Sequence, residues 1–223
     1  MSADMLKMDV ANHIAVVTMQ RPPVNALNAD MRSAIIAAFD EVSERNDIRV
    51  AVLTSNQKAF CAGADLASRP KDDKFGDYAY HNRLTRETTN CIRECAKPVI
   101  AAINGAALGA GMGIAAACDI MLASENAVFG MPEIDVGLAG GASMLNIFFP
   151  RSRVRRMMFT GLRSPAAELY RLGIIEACTK PEDLMPETMK LAEEIASKSP
   201  LGIRYAKTSC NMVELMPPRD AYR

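Results

Sequence analysis

Two features of this chain have residue types and spacing that could do chemistry. One is a run of small residues, INGAALGAGMGIAAACD (103–119), and the other is a single acid, Glu133, in GMPEIDVGL (130–138). Gly111, Gly113 and Ala116 formally fit a relaxed dinucleotide fingerprint, but the run lacks the long crossover helix and the immediate strand-to-glycine turn of such a site. A phosphate loop is excluded because no Gly-Lys-Ser/Thr occurs. Small residues ahead of a helix leave main-chain N–H groups unobstructed, and the helix dipole adds positive potential there, so the run could hold an oxyanion. Taken alone, it reads more simply as close packing of a helix on a sheet. Glu133 follows Pro132, which fixes its backbone. Met131, Phe129 and Ile134 are expected to give it an apolar surround that raises its pKa toward that of a proton shuttle. In isolation, a Glu after Pro in a loop is a solvated surface group.

These groups need a frame. HIAVVTMQ (13–20), RVAVLTS (49–55), PVIAAIN (98–104) and DIMLAS (119–124) read as strands. Helices are predicted from the Asn28 cap to about Arg45, up to Cys95, and over about 110–117. SRPKDDKFGDY (68–78) is the most polar stretch. Beyond residue 143, helices are predicted at 143–149, 151–161, 164–171 and 184–198, with only 174–178 extended. The expected organisation is an α/β core over 1–142 and a helical region over 143–223.

Composition narrows the partners. The 26 Lys and Arg balance 26 Asp and Glu, which argues against nucleic acid or an anionic membrane surface. The uncharged stretch 98–118 approaches membrane-spanning length, but Pro98, Asn104 and four glycines break it into a buried strand and helix. The start, MSADMLKMDV, has no secretory pattern, so a cytoplasmic protein is expected. Six cysteines then read as reduced thiols, and with only His13 and His81 no metal site can be assembled.

Three segments, AFCAGADL (59–66), INGAALGAGMGIAAACDIMLA (103–123) and VFGMPEIDVGL (128–138), together resemble the crotonase, or enoyl-CoA hydratase/isomerase, superfamily. MQRPPVNALN (19–28) and FTGLRSPAAELYRLGIIEAC (159–178) match further family features in the same order. The resemblance implies a spiral of ββα units with two nearly perpendicular sheets, then a helical region for trimer formation that ends early. It also implies an acyl-CoA substrate, with coenzyme A part of that substrate and no separate cofactor, in a homotrimer or dimer of trimers. By the same resemblance, Ala64 and Ala110 supply the N–H groups of an oxyanion hole and Glu133 is the catalytic acid–base. Val24, Ala26, Ala62, Asp65, Leu66, Pro132 and Leu138 then line the substrate channel, although Asp65 read by itself is a turn or cap residue.

Departures from the family matter equally. A second hydratase glutamate would fall on Gly113, and a further family Asp on Gly141. One carboxylate suits moving one proton between carbons, so double-bond isomerisation, or hydration with a differently held water, is expected. A thioester or carbon–carbon hydrolase and a non-catalytic acyl-CoA-binding scaffold remain as alternatives. Asp135 is expected to be structural. RSRVRR (151–156) is either a solvated helix face or a contact for CoA phosphates.

Overall fold

The computed structural model describes residues 5–70, 77–214, 216, 217 and 220. Strand β1 (Leu6–Ala11) folds back on β2 (Ile14–Met19) through Asn12 and His13, both in the left-handed region. Helix α1 (Ala29–Glu44) starts where expected, because the Asn28 side chain accepts the Met31 N–H at 2.9 Å. There follow β3 (Val50–Ser55), α2 (Asp77–Arg93), β4 (Val99–Ile103), β5 (Ala107–Leu108), α3 (Ala110–Ala117), β6 (Ile120–Ser124) and β7 (Val128–Gly130). The remainder is α4 (Ala142–Phe148), α5 (Arg151–Thr160), β8 (Arg163–Pro165), α6 (Ala166–Arg171), β9 (Ala177–Thr179), α7 (Leu184–Ala196) and α8 (Pro200–Val213).

Six strands form one sheet in the order β1-β2-β3-β4-β6-β9, parallel except for β1. Parallel neighbours need crossovers, which α1, α2 and α3 provide. Ala51 and Leu53 of β3 face the main core, with Met31, Ile35 and Phe39 of α1, whereas Val50 and Val52 face the other side and meet Leu184, Ala192 and Ala196 of α7. Burial on both faces explains why β3 and β4 are unbroken apolar runs. The second sheet is small, β5-β7-β8, and its first strand carries the chain into α3. This mixed architecture of two sheets is the one expected.

Several elements differ from expectation. β5, β7 and β8 have two or three residues each, too few to show a period. β1 carries Lys7 and Asp9 on a sheet edge. Helix α8 is an addition to the expected helices: the Ser199 side chain caps it at the Gly202 N–H, and Lys207 is its sole buried residue. The helix expected at 164–171 starts at Ala166, since 163–165 pairs with β7, and the extended segment moves from 174–178 to Ala177–Thr179. Most of the polar stretch 68–78 lies outside the described residues. Among described residues, no helix is long and apolar enough to cross a membrane, and 98–118 is divided among β4, β5 and α3.

Candidate active site

The site is built where three main-chain segments meet. Cys61 bridges Ala107: its N–H donates to Ala106 O at 3.0 Å and its carbonyl accepts the Leu108 N–H at 3.0 Å. Leu27 bridges Ala64 in the same sense, donating to Gly63 O at 2.8 Å and accepting the Asp65 N–H at 3.1 Å. Because a parallel bridge uses the groups flanking Ala64, the N–H of Ala64 itself turns to the opposite side. Ala110 is the first residue of α3, where helical geometry leaves the N–H without an intrahelical acceptor. Among described residues, neither of these two N–H groups donates a hydrogen bond.

Glycine makes this meeting possible. Gly63 has φ +101°, and a Cβ there would stand 2.9 Å from Leu108 O and 3.6 Å from Ala110 N. A Cβ at Gly111 would fall on the Cys61 carbonyl. The small-residue run thus serves both readings, close packing and donor exposure.

Glu133 reaches the same point from the 3-10 turn Pro132–Val136, which closes when the Leu138 N–H donates to Glu133 O at 2.9 Å. Its carboxylate lies over Gly109, where a Cβ would come within 2.6 Å of Oε1. Oε2 is buried with no hydrogen-bond partner among described residues, and burial pushes the carboxyl pKa above its ordinary value. The apolar surround differs from expectation: Ile134 is exposed, because its turn position points outward, while Met131 lines the cavity.

A cavity of about 700 Å³ joins these groups. Ala62, Ala64, Leu66, Ala110, Pro132, Glu133 and Leu138 all line it. Val24, Ala26 and Asp65 lie outside its lining and brace the loop instead. The Val24 carbonyl accepts the Ala62 N–H at 3.0 Å, and the Ala26 carbonyl accepts Arg21 Nη1 at 2.6 Å. Asp65 pairs with Arg21 at 2.8 Å and accepts the Ala67 N–H at 3.1 Å, capping the turn Leu66–Ser68. Gly113 faces the cavity with room to spare, its nearest neighbour to a Cβ being Thr89 Cγ2 at 3.8 Å. Gly141 also lines it, but a Cβ there would collide with the Met131 methyl.

The model of the enoyl-CoA hydratase/isomerase family matches residues 9–216. The chain belongs to that family. YngF of Bacillus subtilis, which carries an enoyl-CoA hydratase/isomerase name, is 38% identical over 206 residues, covering 89% of this chain and 78% of YngF. A crotonyl-CoA hydratase of Syntrophomonas wolfei is 34% identical over 208 residues, covering 89% and 78%. The crystal structure of an enoyl-CoA hydratase of Mycobacterium smegmatis superposes with a TM-score of 0.92 at 26% identity, covering 98% of this chain and 86% of that one. The protein is therefore an enzyme of the hydratase/isomerase family with the crotonase fold.

In this hydratase/isomerase family member, several residues near the site carried no signal in the motifs. Arg32 of α1 and His81, Thr85, Thr88 and Thr89 of α2 form the wall facing the small-residue run. The polar spacing of four along α2 on a partly buried face was the available clue. Asp135 and the RSRVRR segment lie outside the cavity lining. Asp135 sits at the Gly161 backbone, and Arg153 pairs with Glu168 at 2.6 Å while Arg151, Arg155 and Arg156 are exposed. All six cysteines are free thiols, and no cluster of potential metal ligands occurs among described residues.

Proposed function

We propose that this enzyme binds an enoyl-CoA thioester with its carbonyl oxygen between the Ala64 and Ala110 N–H groups, and that Glu133 moves a proton at the adjoining carbons. When a proton leaves the carbon next to a thioester, charge develops on that oxygen. Preorganised donors stabilise it by about 3–4 kcal/mol each. The observation that carries the reading is the carboxylate of Glu133 over Gly109, beside two N–H groups without acceptors and with its own Oε2 unpartnered. A base with a raised pKa lining a cavity suits proton transfer near neutral pH.

Glu133 is the sole carboxylate among the described lining residues. Hydration with two acids holds and activates a water, whereas one base can take a proton from one carbon and return it to another. We therefore assign double-bond isomerisation ahead of hydration. The side chains of Leu66, Pro132 and Leu138 supply the apolar part of the acyl channel. Exposed Phe159, Tyr170, Leu201, Tyr205 and Met212 support subunit packing in a homotrimer or a pair of trimers. Six unpaired thiols support a reducing compartment.

Glu133→Gln keeps shape and removes the base. Turnover of an enoyl-CoA panel should fall at least about 100-fold with acyl-CoA binding retained. Unchanged turnover would remove Glu133 from the mechanism.

A further inference from the structure

We propose that the α1/α2 wall of the cavity is a carboxylate-binding pocket, centred on Arg32, that selects acyl-CoA thioesters carrying an acid at the far end of the acyl group. This rests on the acyl-CoA reading of the site and adds the class of acyl group.

Arg32 is 3% exposed and lines the cavity, yet among described residues its guanidinium has no hydrogen bond or ion pair. A buried cation normally has an anion beside it, because desolvation is costly. The thiol of Cys61 is close enough to interact with Arg32, but burial pushes its pKa up to about 11 and it donates to the Asn25 carbonyl at 3.1 Å, so it stays a neutral thiol at pH 7. A second polar group lies in the same wall: Thr85 lines the cavity, and its Oγ1 is buried without a partner among described residues. A guanidinium that lines a cavity and has no anion of its own among described residues matches a carboxylate, which accepts from its N–H groups.

The surroundings have the same sign. Arg69, Arg86 and Arg163 also line the cavity, against Glu133 as the one acid among the described lining residues. His81, one turn before Thr85, has its pKa lowered by burial and by the charges of Arg32 and Arg69. A wall meant for a hydrocarbon tail would be apolar, since burying an unpaired charge against it gains nothing. The phosphates of coenzyme A are the competing anion. With the thioester at Ala64 and Ala110, however, the whole pantetheine arm separates them from the acyl side, and a side chain as buried as Arg32 lies inside the cavity rather than at its mouth.

The test is equilibrium binding by calorimetry of matched saturated pairs, succinyl-CoA against butyryl-CoA and adipyl-CoA against hexanoyl-CoA, with free CoA as a third arm. The intact chain should favour at least one acid-bearing thioester over its neutral mate by about tenfold or more. Arg32→Met should abolish that preference and leave the neutral thioester and free CoA within about threefold, while Arg32→Lys retains part of it. If Arg32→Met weakens free CoA as much as the acids, the anion is a CoA phosphate and the proposal is overturned. Equal binding of the pairs by the intact chain overturns it as well. Melting adds a second readout: loss of an unpaired buried charge leaves the midpoint of Arg32→Met at or above that of the intact chain, and a marked drop would show that the protein itself satisfies Arg32. Turnover of 2-hexenoyl-CoA is measured in parallel. An acid preference without turnover would uphold the pocket and sink the enolate chemistry; turnover without a preference would do the reverse.

Discussion

The end of the cavity where we propose the thioester sits is lined by main chain, with the Ala64 and Ala110 N–H groups free of acceptors among described residues and Gly63 and Gly109 adding no side-chain volume, whereas the opposite wall is made of long or polar side chains on α1 and α2. The difference separates two tasks. These donors are held by a bridge and a helix start, where Gly63 and Gly111 leave no room for a Cβ, and in the proposed complex they read only a thioester oxygen. Side chains on helices can change without disturbing the bridges, and in the proposed complex they face the variable part of the acyl group. Glu133 joins the two ends from a third element, the turn after β7.

The largest expected effect breaks the main-chain end. Gly111→Ala places a methyl on the Cys61 carbonyl, a backbone atom that cannot yield, and should cost about 3 kcal/mol in chemical denaturation. Two residues on, Gly113→Ala meets nothing closer than 3.8 Å and should gain about 0.5–1 kcal/mol of helix propensity. If the two substitutions proved alike, close backbone contact would not be what holds this end together.

Gly113→Glu sharpens the comparison by adding a side chain to the end that lacks them. The open space there admits a carboxylate facing Glu133 across the cavity. The ratio of hydrated to isomerised product from one 2-enoyl-CoA should rise at least about tenfold over the native enzyme. A native enzyme that already hydrates much faster than it isomerises would defeat the one-base argument.

A smaller effect follows from the burial of Glu133. As the base, it must be ionised, so kcat/KM should fall on the acid side with a limb above the ordinary carboxyl value of 4.5. Stability runs the opposite way. The folded carboxyl binds its proton more tightly than the unfolded one, so ionisation costs stability above pH 4.5, and this cost is relieved as pH falls through the raised pKa. The native protein should therefore gain on Glu133→Gln over that interval in denaturant titrations. A limb at or below 4.5 would place Glu133 in water.

Residues 103–119 and Glu133 stand out locally, because glycine lacks a Cβ and proline fixes φ, but each alone reads as close packing or as a solvated loop acid, and only the resemblance of three segments in one order gives them a chemical reading. The expected places of Ala62, Ala64 and Leu66 rest on that resemblance as well, and all three line the cavity. At Asp65 the turn-cap reading holds and the channel position does not, because its partner Arg21, 44 residues away, draws the side chain into the loop at 2.8 Å. Ile134 and Met131 are three residues apart, yet the turn after β7 sends one to solvent and the other to the cavity. The wall of Arg32, His81 and Thr85 depends wholly on how α1 packs on α2. Sequence by itself determined which segments could form strands, caps and donor-bearing turns, since those preferences act over a few bonds. Tertiary structure alone decided which side chains share the cavity, because that depends on contacts between helices whose residues lie some fifty positions apart.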